Sequence, residues 1–338
     1  MDLMKPRFKM LIATMLSAAL LVAGCGQKAA APKAGEYVLK VGYSGSLCEG
    51  PVHMAYEKGF FAEEGLKVEL IKLAPGTAFE AITAGQVEAG FGLLASLIQP
   101  LSNGLPIKIT TGLHTGCDKV LVPKTSGINT AADLKGKRIG VPSLTSSPII
   151  FAKRALAAAG IGVSEKNLEV EFVVFSNAEL PLALQKGAID AIAANDPVAS
   201  IAAREYNLNT LLDSAVTAPY HEQYCCSAYV KDTLAKNNPE IAAKYTRAMQ
   251  KASAYVAQHP DEVAKIQVEK KYVAGDAAFN AQVLKTFNYI PSVSGAYDAF
   301  GITAGELQKV GMLGANVDVP ALQKNSFVTL PGVPDTVK

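Results

Sequence analysis

Beyond its first segment, the chain carries four cysteines, Cys48, Cys117, Cys225 and Cys226, and their thiols are the residues best suited to chemistry. As thiolates they suit soft or borderline cargo: zinc, cuprous copper, or an iron–sulfur cluster. As oxidised pairs they would be disulfides, the ordinary reading of an even cysteine count in an exported protein. Cys48 with Cys117, or either with the 225–226 pair, are the candidate bridges, although a core of this size needs no staples. A bond between the adjacent Cys225 and Cys226 would close a strained ring. No Cys-x-x-Cys spacing occurs. On a regular strand Cys225 and Cys226 face opposite sides, so both reach one metal only where the backbone turns or bulges. His53, His114 and His221, with Glu49 and Asp118, lie close to the thiols in sequence. Both readings stand at this point.

The elements that must position these thiols follow an address. Lys5, Arg7 and Lys9 precede an apolar run from Met10 to Leu21, shorter than the ~20 residues of a membrane span and fitting a secretory signal. It ends in Val22-Ala23-Gly24-Cys25, which resembles a bacterial lipobox and implies lipid attachment at Cys25. Residues 1–25 are thus expected to be a signal peptide and 26–36 a flexible tether of small, Pro and Lys residues. The chain holds 32 basic and 30 acidic residues, and three of the basic and one of the acidic lie in the signal, so the body is neutral. That balance argues against nucleic acid. The expected location is outside the cytoplasmic membrane, lipid-anchored, as a monomer.

The body alternates strand and helix. Strands are expected at 37–43, 66–73, 87–94, 107–112, 138–141, 168–175 and 189–193; helices at 52–61, 78–84, 96–101, 148–159, 179–186 and 198–205. Such alternation predicts an α/β fold with largely parallel sheets. After about residue 229 the pattern turns helical, notably over 239–258 and 261–272. Lys58-Gly59-Phe60-Phe61 reads as a helix stopped by Gly with aromatics packing back. Asp133 to Lys137 reads as a short helical turn, stopped by Gly136, that feeds the strand at 138.

Several segments resemble the nitrate/sulfonate/taurine-type substrate-binding proteins of ABC importers, a group that includes receptors for thiamine-pyrimidine precursors. They are Gly42-Tyr43, Ala55-Tyr56-Glu57-Lys58-Gly59-Phe60-Phe61-Ala62-Glu63-Glu64-Gly65-Leu66, Ser126-Gly127-Ile128, Asp133 to Pro142, and Gln185-Lys186-Gly187-Ala188-Ile189-Asp190-Ala191. The resemblance spans roughly residues 37–260. It implies a two-lobed periplasmic-binding-protein-like fold: lobe 1 from 37–116 plus 227–338 with C-terminal helices, lobe 2 from 117–226, and two hinge crossings. The ligand cleft would be lined by segments 43–50, 75–79, 93–97, 114–118, 143–148, 194–197 and 221–226. All four downstream cysteines fall in this set, and bridges flanking a hinge would hinder closure.

The expectation is therefore an extracytoplasmic receptor that clamps an iron–sulfur cluster or other soft metal species with Cys48, Cys117, Cys225 and Cys226. It would hand the cargo to an ABC permease and its ATPase. Tyr43, His53, His114, Ser146, Ser147, Asn195, Asp196, His221 and Tyr224 are further cleft candidates. The alternative cargo is a sulfonate, nitrate or pyrimidine, with the cysteines as disulfides. Ser146 and Ser147 open a helix and suit either capping or an anion, whereas Asp196 would repel an anion. No catalytic cofactor or catalytic residue is expected, because no Gly-x-Ser-x-Gly, His-Glu-x-x-His or P-loop occurs. Gly90 to Ala95 matches a dinucleotide fingerprint, but late in its lobe. The remaining alternative is an iron-dependent enzyme like the fungal pyrimidine synthases, which share the implied fold and use a cysteine-rich segment.

Overall fold

The computed structural model describes residues 37–74 and 76–337. The expected signal peptide, Cys25 and the tether lie outside the described residues. No helix among the described residues is long and apolar enough to cross a membrane.

In chain order the first half runs β1 (Val38–Tyr43), α1 (Gly50–Glu57), α2 (Phe60–Glu63), β2 (Lys67–Lys72), α3 (Ala78–Thr83), β3 (Ala89–Leu93), α4 (Leu94–Ser102) and β4 (Ile107–Thr115). Then come β5 (Asp118–Pro123), β6 (Arg138–Val141), α5 (Ser147–Ala158), a small hairpin of β7 (Val163–Ser164) and β8 (Asn167–Leu168), β9 (Glu171–Val174), α6 (Leu180–Gln185), β10 (Ala191–Asn195), α7 (Val198–Glu205) and β11 (Leu208–Asp213). The chain returns in β12 (Tyr224–Lys231) and ends in α8 (Asp232–Asn237), α9 (Pro239–Gln258), α10 (Pro260–Glu269), α11 (Ala277–Leu284), α12 (Val293–Lys309) and α13 (Val319–Ser326).

Two five-stranded sheets form two lobes. The first has the order β2-β1-β3-β12-β4 and the second β11-β5-β10-β6-β9. They are mixed rather than largely parallel. β12 runs antiparallel to β3 and β4, and β5 runs antiparallel to β10 and β11. The cause is topological. A strand that enters a lobe from the interlobe side runs against neighbours whose carboxyl ends face that side, and β5 and β12 are the two entering strands. The crossings are residues 116–117, between β4 and β5, and the stretch between β11 and β12. β12 begins at Tyr224 in the first sheet, so the second crossing ends before residue 224.

Local sequence explains the frame. In β1, Leu39 and Val41 are buried and alternate with exposed Val38 and Lys40, the pattern of a strand covered on one face. Each fully buried side chain of this size contributes about 1.5–3 kcal/mol. In β10, Ala191 to Ala194 are all buried, as in a central strand covered on both faces. The expected helix over 52–61 is two helices, broken where Gly59 takes a φ of 79°, a conformation glycine adopts without a Cβ penalty. Phe61 then stacks on Tyr245 with centroids 6.0 Å apart. Gly90 and Gly92 of the dinucleotide-like run face the ring of Tyr229, where a Cβ at Gly90 would lie 2.7 Å from its hydroxyl. They are packing glycines.

Candidate functional site

The carboxyl end of β1 leads into a short 3-10 turn, Leu47–Glu49, which carries Cys48. Its conformation is fixed by Glu49, whose carboxylate accepts the backbone N–H groups of Ser44 (2.8 Å), Gly45 (2.7 Å) and Ser46 (2.7 Å). Burial, followed by the neighbouring Cys48, pushes the Glu49 carboxyl up to about 7 against those hydrogen bonds. Cys117 occupies the first crossing. Its N–H and that of Asp118 both donate to Ser214 Oγ at 2.9 Å, and its carbonyl accepts from the Asp196 N–H at 3.0 Å. Cys225 and Cys226 open β12, immediately after the second crossing.

The irregularity that would let both adjacent cysteines face one side is present. Tyr224 pairs with Thr115 and Cys226 with His114, and the register of β12 against β4 shifts on both sides of Cys226. Cys225 is left without a partner in that ladder, and a bulge of this kind re-aims side chains. The Sγ atoms of Cys48, Cys117 and Cys226 lie within 4.8 Å of one another, and all three residues are buried. Cys225 is half-buried beside them, its sulfur interacting with those of Cys117 and Cys226. All four are free thiols. Four thiols so close cannot all ionise. The Cys225 thiol is lowered by hydrogen bonds from Cys117 and Cys226, while Cys117 is raised to about 12, first by its interaction with Cys225. Cys48 is raised chiefly by Cys117, and Cys226 is raised well above the ordinary range by burial.

Around the sulfurs stand three buried polar atoms without partners: His114 Nε2, Asp118 Oδ1 and the Tyr289 hydroxyl. Such atoms are rare in folded proteins and mark strain or a missing partner. His114 Nδ1 is 3.2 Å from the Thr115 carbonyl, which can only accept. That nitrogen therefore donates to the carbonyl. The ring stacks on Phe287 at 5.3 Å, with Tyr289 tilted against it at 4.7 Å. Asp118 Oδ2 accepts from Ser147 Oγ at 2.5 Å, and burial raises its carboxyl to about 7. A narrow cavity of about 30 Å³ lies beside the cluster, lined by Cys225, Asp118, Ser147, Arg154 and Tyr224 among others.

The other candidates divide. Tyr224 lines that cavity and donates its hydroxyl to the Ile290 carbonyl. Ser147 serves Asp118. The Ser146 hydroxyl donates back to the Ser143 carbonyl at 2.9 Å rather than capping α5. Asn195 ends β10 opposite Asp118. Asp196 is not a free acid facing the cargo: it is fully buried, paired with Lys119, and accepts the Ser200 N–H at 2.9 Å. The repulsion of anions expected from it is therefore cancelled. Burial works against the Lys119 ammonium, but the Asp196 and Asp213 carboxylates outweigh it and raise its pKa. His53 is a packed core residue, stacked on Tyr272 at 4.3 Å, edge-on to Tyr43 at 5.3 Å, with Nδ1 accepting from Gln267 Nε2 at 3.0 Å. Burial lowers its pKa to about 3. His221 sits on the 3-10 turn Tyr220–Glu222, 3.6 Å from Glu222 and partly open to solvent. Ser214, Phe287 and Tyr289 escaped sequence reasoning, since no motif surrounds them and only long-range packing brings them to the thiols.

Two α/β lobes joined by two crossings form the periplasmic-binding-protein fold. The aliphatic sulphonate binding protein SsuA of Escherichia coli superposes with a TM-score of 0.72 at 18% identity, covering 88% of this chain and 94% of that one. The chain belongs to the NMT1/THI5-like family, whose pattern it matches over residues 49–263. A putative thiamine biosynthesis protein of Haemophilus influenzae is 30% identical over 217 residues, 62% of this chain and 65% of that protein. The chain thus spans just under two thirds of that relative. A 4-amino-5-hydroxymethyl-2-methylpyrimidine phosphate synthase of Legionella pneumophila is 24% identical over 65% of this chain and 69% of its own length.

Proposed function

We propose that this protein is the extracytoplasmic, lipid-anchored substrate receptor of an ABC importer, and that its cargo is a soft metal species held by cysteine thiolates between the lobes. The observation that carries the cargo reading is the convergence of Cys48, Cys117 and Cys226 within 4.8 Å, buried and unbonded, from the turn after β1, the first crossing and the start of β12. Thiolate around zinc at ~2.3 Å places tetrahedral sulfurs about 3.8 Å apart, close to this spacing. A four-iron cluster interposes its own metal and sulfide atoms and needs its thiolates farther apart. The geometry thus favours a single ion, zinc or cuprous copper, over the cluster expected from sequence. Cys48 and Cys226 belong to the first lobe and Cys117 to the first crossing, so bound metal would fix that crossing against the first lobe. Binding would release thiol protons, so uptake would strengthen as pH rises.

The receptor role rests on the fold, which this chain shares with sulphonate- and nitrate-binding proteins. The permease and ATPase would be the partners. A pyrimidine, sulfonate or nitrate cargo is the second reading, favoured by the names of the relatives and by the neutralised Asp196. An iron-dependent pyrimidine synthase is the third, favoured by the Legionella relative. One experiment separates them. The full chain, purified without oxygen, is titrated for free thiols and then with zinc, cuprous ion, iron–sulfur clusters, a pyrimidine, a sulfonate and nitrate. Four thiols with stoichiometric, cysteine-dependent metal uptake support the proposal. Tight binding of an organic ligand or oxyanion without metal overturns it, and consumption of a pyrimidine precursor indicates an enzyme.

A further inference from the structure

Resting on the metal-cargo reading, we infer that the four cysteines are not equivalent: Cys48, Cys117 and Cys226 form a closed three-sulfur seat, and Cys225 is the port through which the ion enters and leaves. The asymmetry is geometric. Cys48 is 1% exposed and Cys117 and Cys226 are 0%, whereas Cys225 is half-buried. Cys225, and none of the other three, lines the cavity beside the cluster. The bulge gives the physical reason, because it takes Cys225 out of the strand ladder and frees its side chain from the strict alternation of β12.

The remaining sides of the seat are closed. His114 stands against Cys48, backed by the rings of Phe287 and Tyr289. Glu49 pins the turn below Cys48 through three backbone N–H groups. On the Cys225 side, the small cavity shares Ala95 and Ile150 with a larger chamber of about 310 Å³, bounded by Phe79, Gln99, Asn103 and Thr145. Cavity and chamber adjoin at those two residues, and the unpartnered Asp118 Oδ1 belongs to a residue that lines the cavity with Cys225.

The chemistry is ligand exchange without redox change. An arriving ion bonds first to Cys225 Sγ, whose proton passes to water. It then gains bonds to the seat thiolates, whose protons follow the same route, as its bonds to water break. Release runs in reverse, so the ion always keeps at least one sulfur bond until it is handed on. Were Cys225 simply a fourth equal ligand, its loss would act on affinity; as a port, its loss acts on rates.

Zinc ion alone is the probe, loaded onto the full chain without oxygen and withdrawn by a chromogenic chelator in stopped flow. Cys225→Ser is expected to slow loading and withdrawal together by about tenfold or more, so that affinity moves less than either rate. Cys225→His, which again offers a ligand at that point, is expected to restore the rates. Cys48→Ser, Cys117→Ser and Cys226→Ser should fail to hold zinc. A Cys225→Ser protein that loses zinc as they do, or that keeps both wild-type rates, overturns the inference. As a second readout, iodoacetamide should label Cys225 first in the metal-free wild type, and equal labelling of all four thiols overturns it as well. A wild-type chain that takes up no zinc fails the parent reading, a result distinct from either failure of the Cys225 variant.

Discussion

Lys119 and Asp196 form the ion pair on which the geometry around Cys117 depends. Their side chains are 7% and 0% exposed, and Asp213 adds a second carboxylate 3.4 Å from the ammonium. Asp196 also gives its N–H to the Cys117 carbonyl and its carboxylate to the start of α7. Lys119→Met preserves the side-chain length and removes the charge, leaving a buried carboxylate without a counter-ion. Breaking a buried pair in this way costs roughly 3–5 kcal/mol. With about 300 ordered residues at ~2.1 cal/mol/K each, the unfolding entropy is about 0.6 kcal/mol/K, so the melting temperature should drop by roughly 5–8 °C. Adding Asp196→Asn removes the orphaned charge, keeps an acceptor for Ser200, and should recover most of the loss. Thermal unfolding followed by circular dichroism measures both. A single variant within about 1 °C of wild type, or a double variant no better than the single, would refute this account of the hinge.

Gly116 takes a φ of 77°, and a Cβ there would lie 2.6 Å from that of Ala215. Gly116→Ala should therefore lose about 1–3 kcal/mol and weaken metal uptake by displacing Cys117; denaturant titration and zinc binding on the same sample check it. His53, held near 3 in the fold against an ordinary 6.5, is protonated first in the unfolded chain. Its contribution is complete above pH 6.5 and lost as pH falls, at about 1.4 kcal/mol per unit, or roughly 2.7 by pH 4.5. His53→Gln should flatten the decline by one proton's worth between denaturant titrations at pH 7 and 4.5, and an unchanged decline contradicts the assignment. Arg154, on α5, binds Glu306 of α12 and Gln223 before β12. Arg154→Met should loosen this tie between lobes by about 1.5–3 kcal/mol and enlarge the metal-free protein in small-angle scattering; an unaltered radius would contradict it.

The sequence made the helices most legible, because their apolar spacing is local. The spans 198–205 and 239–258 match α7 and α9. Strand direction was less legible, since alternation predicts strands but does not mark which ones enter a lobe from the hinge side, as β5 and β12 do. The cysteines were legible as candidates by residue type, and the bulge that one shared cargo would need at 225–226 is present in the register of β12. What surrounds them was hidden. Tyr289 and Phe287 reach His114 from more than 170 positions away, and Lys119 meets Asp196 across 77 positions. Such pairings are made by packing alone, so the ion pair of Asp196 with Lys119 and the stacking of His53 on Tyr272, two cleft candidates, were not legible.

The central claim is thiolate capture of a metal ion, and X-ray absorption at the metal edge on the full chain, loaded without oxygen, tests it most directly. The account predicts one ion per chain with three or four sulfur neighbours at about 2.3 Å, and loss of that shell in Cys226→Ser. A shell of oxygen and nitrogen alone, or the same sulfur shell in the variant, would contradict it.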